Sequence, residues 1–214
     1  MPTRSGEWSA EMTAAAFWDG IAEKYSRQPI SNIEAYEATL KRVRHWLRPE
    51  MSVLEIGCGT GSTALKLADG VARYLGTDLS GEMVRIGNEK AADVDHVSFQ
   101  VAAAEDAGAG QRFEAVLAFN LLHLVEDPAR VMGHVRSLLP EGGLFISKTP
   151  CLGGKPWFRP LIWILQKIGK APGPVHSLRP AQIEAALKAS GFEIVETGGY
   201  PRKLPNWLVV ARAI

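Results

Sequence analysis

The stretch Val53-Leu54-Glu55-Ile56-Gly57-Cys58-Gly59-Thr60-Gly61-Ser62 decides the fold of this chain. Residues 51–56 form an apolar run with one acid, the run ends in glycines at alternate positions, and a helical pattern follows directly. A strand, a glycine turn and a helix in this order predict the first unit of a doubly wound α/β domain. Glycine permits positive φ and a close approach of a ligand, and the helix directs free N–H groups into the same crevice. A loop that holds a ligand is therefore predicted, and a glycine-rich loop without a ligand is the alternative.

The composition is that of one ordinary globular domain. The 214 residues are 46% hydrophobic and 22% charged, which suits a single domain over residues 1–214 rather than two. A net charge of +1 shows no basic surplus for nucleic acid. Cys58 and Cys151 form neither a disulfide framework nor a ligand cluster and favour a reducing compartment. With no signal-peptide pattern and no apolar run long enough for a bilayer, we expect a cytoplasmic protein.

Strand and helix patterns alternate through most of the chain. Apolar runs followed by helical periodicity predict an α/β fold, with helical segments also preceding the first strand. Further strands are predicted at 72–77, 97–101, 113–119, 144–149, 192–197 and 207–211, and N-terminal helices at 9–28 and 32–47. Asp127 is predicted to cap a further helix that has Pro128 at its first position.

An acid stands at the end of the second predicted strand. Asp78 follows the glycines by about 20 residues, where a carboxylate can accept two hydrogen bonds from a ribose diol. Dinucleotide enzymes use an acid at this place, so Asp78 indicates a nucleoside without identifying it. The glycine spacing distinguishes this loop from a dinucleotide-binding loop. The dinucleotide fingerprint G-x-G-x-x-G requires glycine or alanine where this chain has Ser62.

Three segments together resemble a known family. Glu55-x-Gly57-x-Gly59-x-Gly61, Asp78-Leu79-Ser80-x-x-Met83 and the run at 120–128 resemble class I S-adenosylmethionine-dependent methyltransferases, including the small-molecule enzymes of ubiquinone and menaquinone biosynthesis. The resemblance implies S-adenosylmethionine as cofactor. It also implies a Rossmann-like, seven-stranded, mostly parallel sheet with one antiparallel strand and helices on both faces. The implied cofactor-binding residues are Glu55, Gly57, Cys58, Gly59, Gly61, Asp78, Leu79, Met83, Ala104, Glu105 and Asn120.

The chain departs from the family pattern after its third predicted strand. Many relatives place there an Asp that meets the adenine amino group, whereas this chain has Ala103. Glu105 or the backbone N–H near Ala104 is expected to take over that contact. Ser80 and Met83 also fit plainer roles, as a helix N-cap and as core packing.

The implied chemistry is direct displacement of a methyl group from a sulfonium, which positioning and electrostatics can promote. A neutral histidine can take up a proton during the attack. His123, in the loop after the fourth strand, is the first candidate and His176 the second, although a merely packed histidine is the commoner case. Tyr25 occupies the place of a lid tyrosine on the N-terminal helix. No spacing of His, Cys and Asp indicates a metal site.

Two segments outside the alternating pattern are expected to cover the site. Residues 9–47 are predicted to form a helical lid, and residues 150–179 a cap inserted after the fifth strand. The apolar face of the cap indicates a small, hydrophobic or aromatic methyl acceptor. Because Trp163 stands among cationic residues, contact of the cap with a lipid surface is kept as an alternative.

Two other functions are weighed against a methyltransferase. One is a non-catalytic adenosylmethionine-binding subunit or sensor of the same fold. The other is an NAD-dependent reductase, which the glycine spacing and the missing Tyr-x-x-x-Lys motif disfavour. The sequence does not determine the oligomeric state.

Overall fold

A seven-stranded sheet organises the molecule. The computed structural model describes residues 5–151, 153, 172–199 and 206–214. The strand order is β3-β2-β1-β4-β5-β7-β6; β7 runs antiparallel to both of its neighbours and the other pairs are parallel. This confirms the predicted mostly parallel sheet with one antiparallel strand. The strands are β1 (Ser52–Ile56), β2 (Arg73–Asp78), β3 (Val97–Val101), β4 (Ala115–Phe119), β5 (Leu144–Pro150), β6 (Phe192–Gly199) and β7 (Asn206–Ala213).

The helices begin at the capping residues that the sequence supplies. The Ser80 hydroxyl accepts the Met83 N–H, and the Asp127 carboxylate accepts the N–H groups of Ala129 and Arg130, which satisfies backbone donors in the first turn. The capping predicted for Ser80 and Asp127 is thus confirmed. The helices are α1 (Ser5–Arg27), α2 (Ile33–Trp46), α3 (Ser62–Leu67), α4 (Gly81–Lys90), α5 (Pro128–Leu138) and α6 (Pro180–Ala189), and a 3₁₀ turn follows α3 at Ala68–Gly70.

Both faces of the sheet are buried. Consecutive residues of β4, Leu117 and Ala118, are each fully buried but belong to two different hydrophobic clusters. Side chains alternate between the faces of a strand, so a sheet covered on both sides reads as an unbroken apolar run. The helices α2, α3 and α4 contribute to the first cluster, and α5 and α6 to the second. The predicted helices on both faces are therefore confirmed.

The order of the strands places a crevice above β1 and β4. Strand β1 pairs with β2 on one side and with β4 on the other, so the connections leave in opposite directions at this point. Ligands of open α/β sheets bind at such a switch point, outside the carboxyl ends of the strands. The glycine loop after β1 and the loop after β4 both open there.

One predicted strand boundary needs correction, and most of the predicted cap lies outside the described residues. The fourth strand was predicted from residue 113 but begins at Ala115, because the Phe113 N–H donates to the carbonyl of Leu138, at the end of α5. Residues 154–171, which hold most of the predicted cap including Trp163, lie outside the described residues. The single-domain organisation stays a prediction.

Candidate active site

A cavity of about 430 Å³ lies at the switch point of the sheet. Its wall is formed by α1, the glycine loop, the end of β2, the segment after β3, the loop after β4 and residues 172–175. Most of the predicted site residues meet on this wall. They are Tyr25, Gly57, Gly59, Asp78, Leu79, Met83, Ala104, Glu105, Asn120 and His123.

The glycine loop is held in a conformation that demands glycine. Gly57 and Gly61 have φ of 70° and 74°, a region that side chains disfavour. A Cβ on Gly57 would lie 2.8 Å from Leu121 Cδ1, and one on Gly61 would lie 2.5 Å from Phe99 Cζ. The N–H groups of Gly57 and Cys58 donate to the Thr77 carbonyl at 2.7 and 2.9 Å, which ties the loop to β2. The backbone can therefore approach a ligand closely here.

Asp78 closes the loop from the end of β2. Its Oδ2 accepts the Gly59 N–H at 2.8 Å and its Oδ1 accepts the Ser80 N–H at 3.0 Å. Burial raises the pKa of the Asp78 carboxyl above its ordinary value, and the two N–H donors oppose the rise. Because a carboxylate oxygen can accept more than one hydrogen bond, both oxygens retain acceptor capacity for a ribose diol.

Glu55 lies behind the loop rather than on the cavity wall. It is 2% exposed, and its Oε2 accepts the Tyr74 hydroxyl at 2.8 Å. Burial raises the pKa of Glu55 to about 8; the Tyr74 hydrogen bond opposes this rise and the charge of Asp78 adds to it. Cys58 and Gly61 are likewise absent from the wall. The cofactor contacts predicted for these three residues stay predictions.

Helix α1 lies over one end of the cavity and is bonded to the start of α4. Asp19 Oδ1 accepts the Ser80 hydroxyl at 2.6 Å and the Glu82 N–H at 3.1 Å. Trp18 and Tyr25, about two turns apart along the cavity side of α1, meet edge to face with ring centroids 6.3 Å apart. Tyr25 lines the cavity yet is 48% exposed, so it stands at the mouth. Burial, and then the charges of Asp78 and Glu55, raise the pKa of Tyr25, so the phenol is protonated.

The loop after β4 supplies the opposite wall. Asn120 has a φ of 55°, and its N–H donates to the Lys148 carbonyl at 2.7 Å, which turns the chain sharply at the end of the strand. His123 follows on this loop and lines the cavity. Burial, and then the charge of His176, lower the pKa of His123 to about 4. His123 is therefore a neutral imidazole at physiological pH and can accept a proton.

Several wall residues were not predicted from the sequence. Ile56, Phe119 and Pro150 end their strands at the cavity, and the rule that ligands bind at strand carboxyl ends would have indicated them. Trp18 lies seven residues before Tyr25 on one helix face, which is a usable signal. Ala103 stands where many relatives place the adenine-contacting Asp, and residues 172–175 belong to the predicted cap. Nothing local singled out the rest, which are Ala14, Ala102, Leu121, Leu124, Val125 and Glu126.

The part of the chain that the structure describes contains neither a three-residue metal cluster nor a membrane-spanning helix. Within it, no group of three His, Cys, Asp or Glu side chains is placed to hold a metal ion. No helix in the same part is long and apolar enough to cross a membrane.

A protein-family comparison decides the family. A family described as a methyltransferase domain matches residues 25–197, from Tyr25 on α1 to Thr197 on β6. The chain belongs to this methyltransferase family. The predicted methyltransferase family is confirmed.

Individual relatives show the breadth of the family. The hybrid PKS-NRPS synthetase lepA of Aspergillus flavus is 32% identical over 177 residues, which are 74% of this chain but only 4% of the synthetase. A ubiquinone biosynthesis O-methyltransferase of Methylobacterium nodulans is 28% identical over 158 residues, covering 70% of this chain and 62% of that enzyme. This chain thus spans less than two thirds of either relative.

A solved structure shows the same fold along almost the whole chain. Magnesium protoporphyrin IX methyltransferase from Synechocystis, crystallised with S-adenosylhomocysteine, superposes with a TM-score of 0.70. The alignment covers 97% of this chain and 99% of that one at 22% identity. The Rossmann-like fold predicted from the sequence is confirmed by this agreement.

Proposed function

We propose that this protein transfers the methyl group of S-adenosylmethionine by direct displacement to a small, hydrophobic or aromatic acceptor. One observation carries the proposal. A single cavity joins the glycine loop and Asp78, which suit a nucleoside, to a wall around His123 that is mostly apolar. Membership of the methyltransferase family supports the cofactor half of this cavity.

The cofactor would lie along the carboxyl ends of β1 and β2. In this arrangement the backbone of Gly57 and Gly59 meets the methionine portion, and the Asp78 carboxylate accepts the ribose hydroxyls. Leu79 and Met83 pack on the adenine. Since Ala103 offers no carboxylate, Glu105 and the backbone near Ala104, both on the cavity wall, take over the adenine edge. This differs from the aspartate found in many relatives.

The acceptor would occupy the other end, between the loop after β4 and residues 172–175. Leu121, Leu124, Pro150, Pro174 and Val175 make this part of the wall apolar. Burying an apolar ring against such a wall stabilises the complex by about 25 cal/mol for each Å² removed from water. The names of relatives in ubiquinone biosynthesis and magnesium protoporphyrin methylation also favour a small-molecule acceptor.

The reaction is a single displacement. The nucleophilic atom of the acceptor forms a bond to the methyl carbon while the carbon–sulfur bond breaks, and its electron pair stays on sulfur to give adenosylhomocysteine. Holding the two reactants in line supplies much of the rate enhancement. Where the nucleophile carries a proton, the neutral His123 accepts it. Tyr25 at the mouth limits the access of water.

Cofactor binding is tested first, by calorimetric titration with adenosylhomocysteine and separately with NADH. We expect micromolar binding of adenosylhomocysteine only. Asp78→Ala should abolish it, whereas Asp95→Ala, at an exposed acid outside the cavity, should leave it unchanged. Binding of NADH alone would overturn the proposal.

Turnover separates an enzyme from a non-catalytic binding protein. The measurement is incorporation of label from methyl-labelled S-adenosylmethionine into pools of phenols, quinols, fatty acids and amines. Methylation of an apolar member is expected. Tight adenosylhomocysteine binding with no transfer to any pool would favour a non-catalytic subunit or sensor instead.

A further inference from the structure

Two histidines meet where residues 172–178 cross the loop after β4. The His176 N–H donates to the His123 carbonyl at 2.7 Å, so the backbones are bonded at this point. The charge of His176 also acts on the imidazole of His123. The two residues are therefore neighbours, and of the two His123 lines the cavity.

Each ring carries one nitrogen that is buried and without a partner. Among the described residues, neither His123 Nδ1 nor His176 Nε2 has a hydrogen-bond partner. A buried polar atom left without a partner destabilises the folded protein. Two such atoms on neighbouring residues are both satisfied when one donates to the other through a single water.

The direction of that bond determines which nitrogen of His123 can react. A neutral imidazole has one N–H and one bare nitrogen. Nδ1 of His123 is buried, so Nε2 is the nitrogen that a molecule in the cavity can meet. If Nδ1 carries the proton and donates it through that water to His176 Nε2, then Nε2 of His123 is bare and can act as a base.

We propose that His176 is a positioning residue that holds His123 in the Nδ1-protonated form, so that His123 Nε2 accepts the proton of a hydroxyl acceptor. This rests on the proposed function. The acceptor oxygen bonds to the methyl carbon, the carbon–sulfur electrons pass to sulfur, and the hydroxyl proton moves to His123 Nε2. The resulting imidazolium keeps its Nδ1–H bonded through the bridging water to His176 and later releases the new proton to solvent. When a general base takes the proton of a nucleophile in this way, a third group is needed to orient the base.

Other ionisable groups share the cavity. Asp78, Glu105 and Glu126 line it, as does Tyr25 at the mouth. Of the charged groups in the described part of the chain, His176 is the one that adds to the lowering of the pKa of His123 by burial. Removal of the His176 side chain is therefore expected to change the tautomer of His123 more than substitution of any of these acids.

The tautomer is measured directly, without turnover. In protein carrying ¹⁵N-labelled histidine, imidazole spectra report which nitrogen is protonated, and His123→Gln assigns the signal. We expect His123 to be protonated at Nδ1 in the parent protein. His176→Ala should move the proton toward Nε2, and His176→Gln, whose amide oxygen can still accept from Nδ1, should restore the parent state. His45→Ala, at an exposed histidine, should change nothing.

The outcome that overturns the proposal is a His123 protonated at Nε2 in the parent protein, or one unaffected by His176→Ala. With an acceptor in hand, His176→Ala should lower kcat about 10- to 100-fold with little change in KM, the usual effect of losing an orienting partner. His176→Gln should recover most of the lost kcat. Adenosylhomocysteine binding should be the same in all variants, so a failed tautomer test leaves the proposed function standing.

Discussion

Phe99 explains why the third glycine of the loop has to be glycine. Its ring is 4% exposed and occupies the space that a Cβ on Gly61 or on Gly76 would need, at 2.5 Å in both cases. A side chain on β3 thus packs against the glycine loop after β1 and against β2. One side of the glycine loop lines the cavity, and its other side packs against this ring.

A pair of alanine substitutions separates this packing from backbone strain. Gly61 and Gly110 both have positive φ, of 74° and 78°, but a Cβ on Gly110 would meet nothing within 4 Å. Gly110→Ala should lower the free energy of unfolding by about 1–2 kcal/mol through strain alone. Gly61→Ala should cost about 1–3 kcal/mol more, because the ring of Phe99 must move. Urea unfolding measures both, and equal costs would show that Phe99 does not confine the loop.

Glu55 should make stability depend on pH. Its pKa is about 8 in the folded chain against an ordinary 4.5, so its neutral form favours folding. This contribution is fully present below about pH 4.5 and is lost as the pH rises through 8; the shift corresponds to roughly 5 kcal/mol. Glu55→Gln keeps an acceptor for Tyr74 and cannot ionise.

We therefore expect Glu55→Gln to be more stable than the parent protein at pH 8.5 and nearly equal to it at pH 5, by urea unfolding at both values. Glu34→Gln, at an exposed glutamate, is the control and should follow the parent curve. A Glu55→Gln protein that loses stability with pH as steeply as the parent would assign the dependence to another group.

At the scale of elements, α1 is attached to the cofactor end through Asp19. This carboxylate bonds the Ser80 hydroxyl, and the Ser80 N–H in turn bonds Asp78, so α1 is linked to the proposed ribose site. Ala22 of α1 packs with Met83 and Ile86 of α4. The lid role predicted for residues 9–47 stays a prediction that this link makes testable.

Asp19→Ala should loosen α1 and weaken adenosylhomocysteine binding about 10- to 100-fold, since a hydrogen bond to a charged group contributes about 1.5–3 kcal/mol. Glu23→Gln is the matched control on the same helix. Glu23 pairs with Arg85 at 2.8 Å, but the pair is exposed and Arg85 keeps Glu82 and Glu89. Calorimetry and limited proteolysis within α1 measure both variants. Equal affinities would exclude α1 as a lid on the cofactor.

The whole molecule should unfold as one unit, because one sheet carries both hydrophobic clusters. β7 lies between β5 and β6, and its successive residues Val209 and Val210 are buried in different clusters. A single calorimetric transition is expected. Adenosylhomocysteine at 100 times its Kd should add about 2.7 kcal/mol to the free energy of unfolding, or about 5–11 °C in Tm. Two separate transitions, with only one shifted by ligand, would divide the chain into two domains.

Local pattern was enough to predict much of this protein. The turn at Gly57 to Gly61, the N-caps Ser80 and Asp127 and the strand ending at Asp78 depend on residues a few positions apart, where periodicity and backbone preference act. The family resemblance then placed Asp78 and His123, and both line one cavity. The exact start of β4 escaped prediction, because a contact with the end of α5 withdraws Phe113 from the sheet.

The contacts that shape the site were decided by tertiary structure. Phe99 against Gly61, Asp19 on Ser80, and His176 on His123 join residues that are far apart in the chain, the second pair 61 positions apart. No short-range preference encodes such pairs, because they form only when the sheet brings separate segments together. Burial, which sets the pKa of Glu55 and of His123, depends in the same way on what packs around each side chain. The sequence alone therefore determined the fold and the type of ligand, and packing decided the shape and protonation of the site.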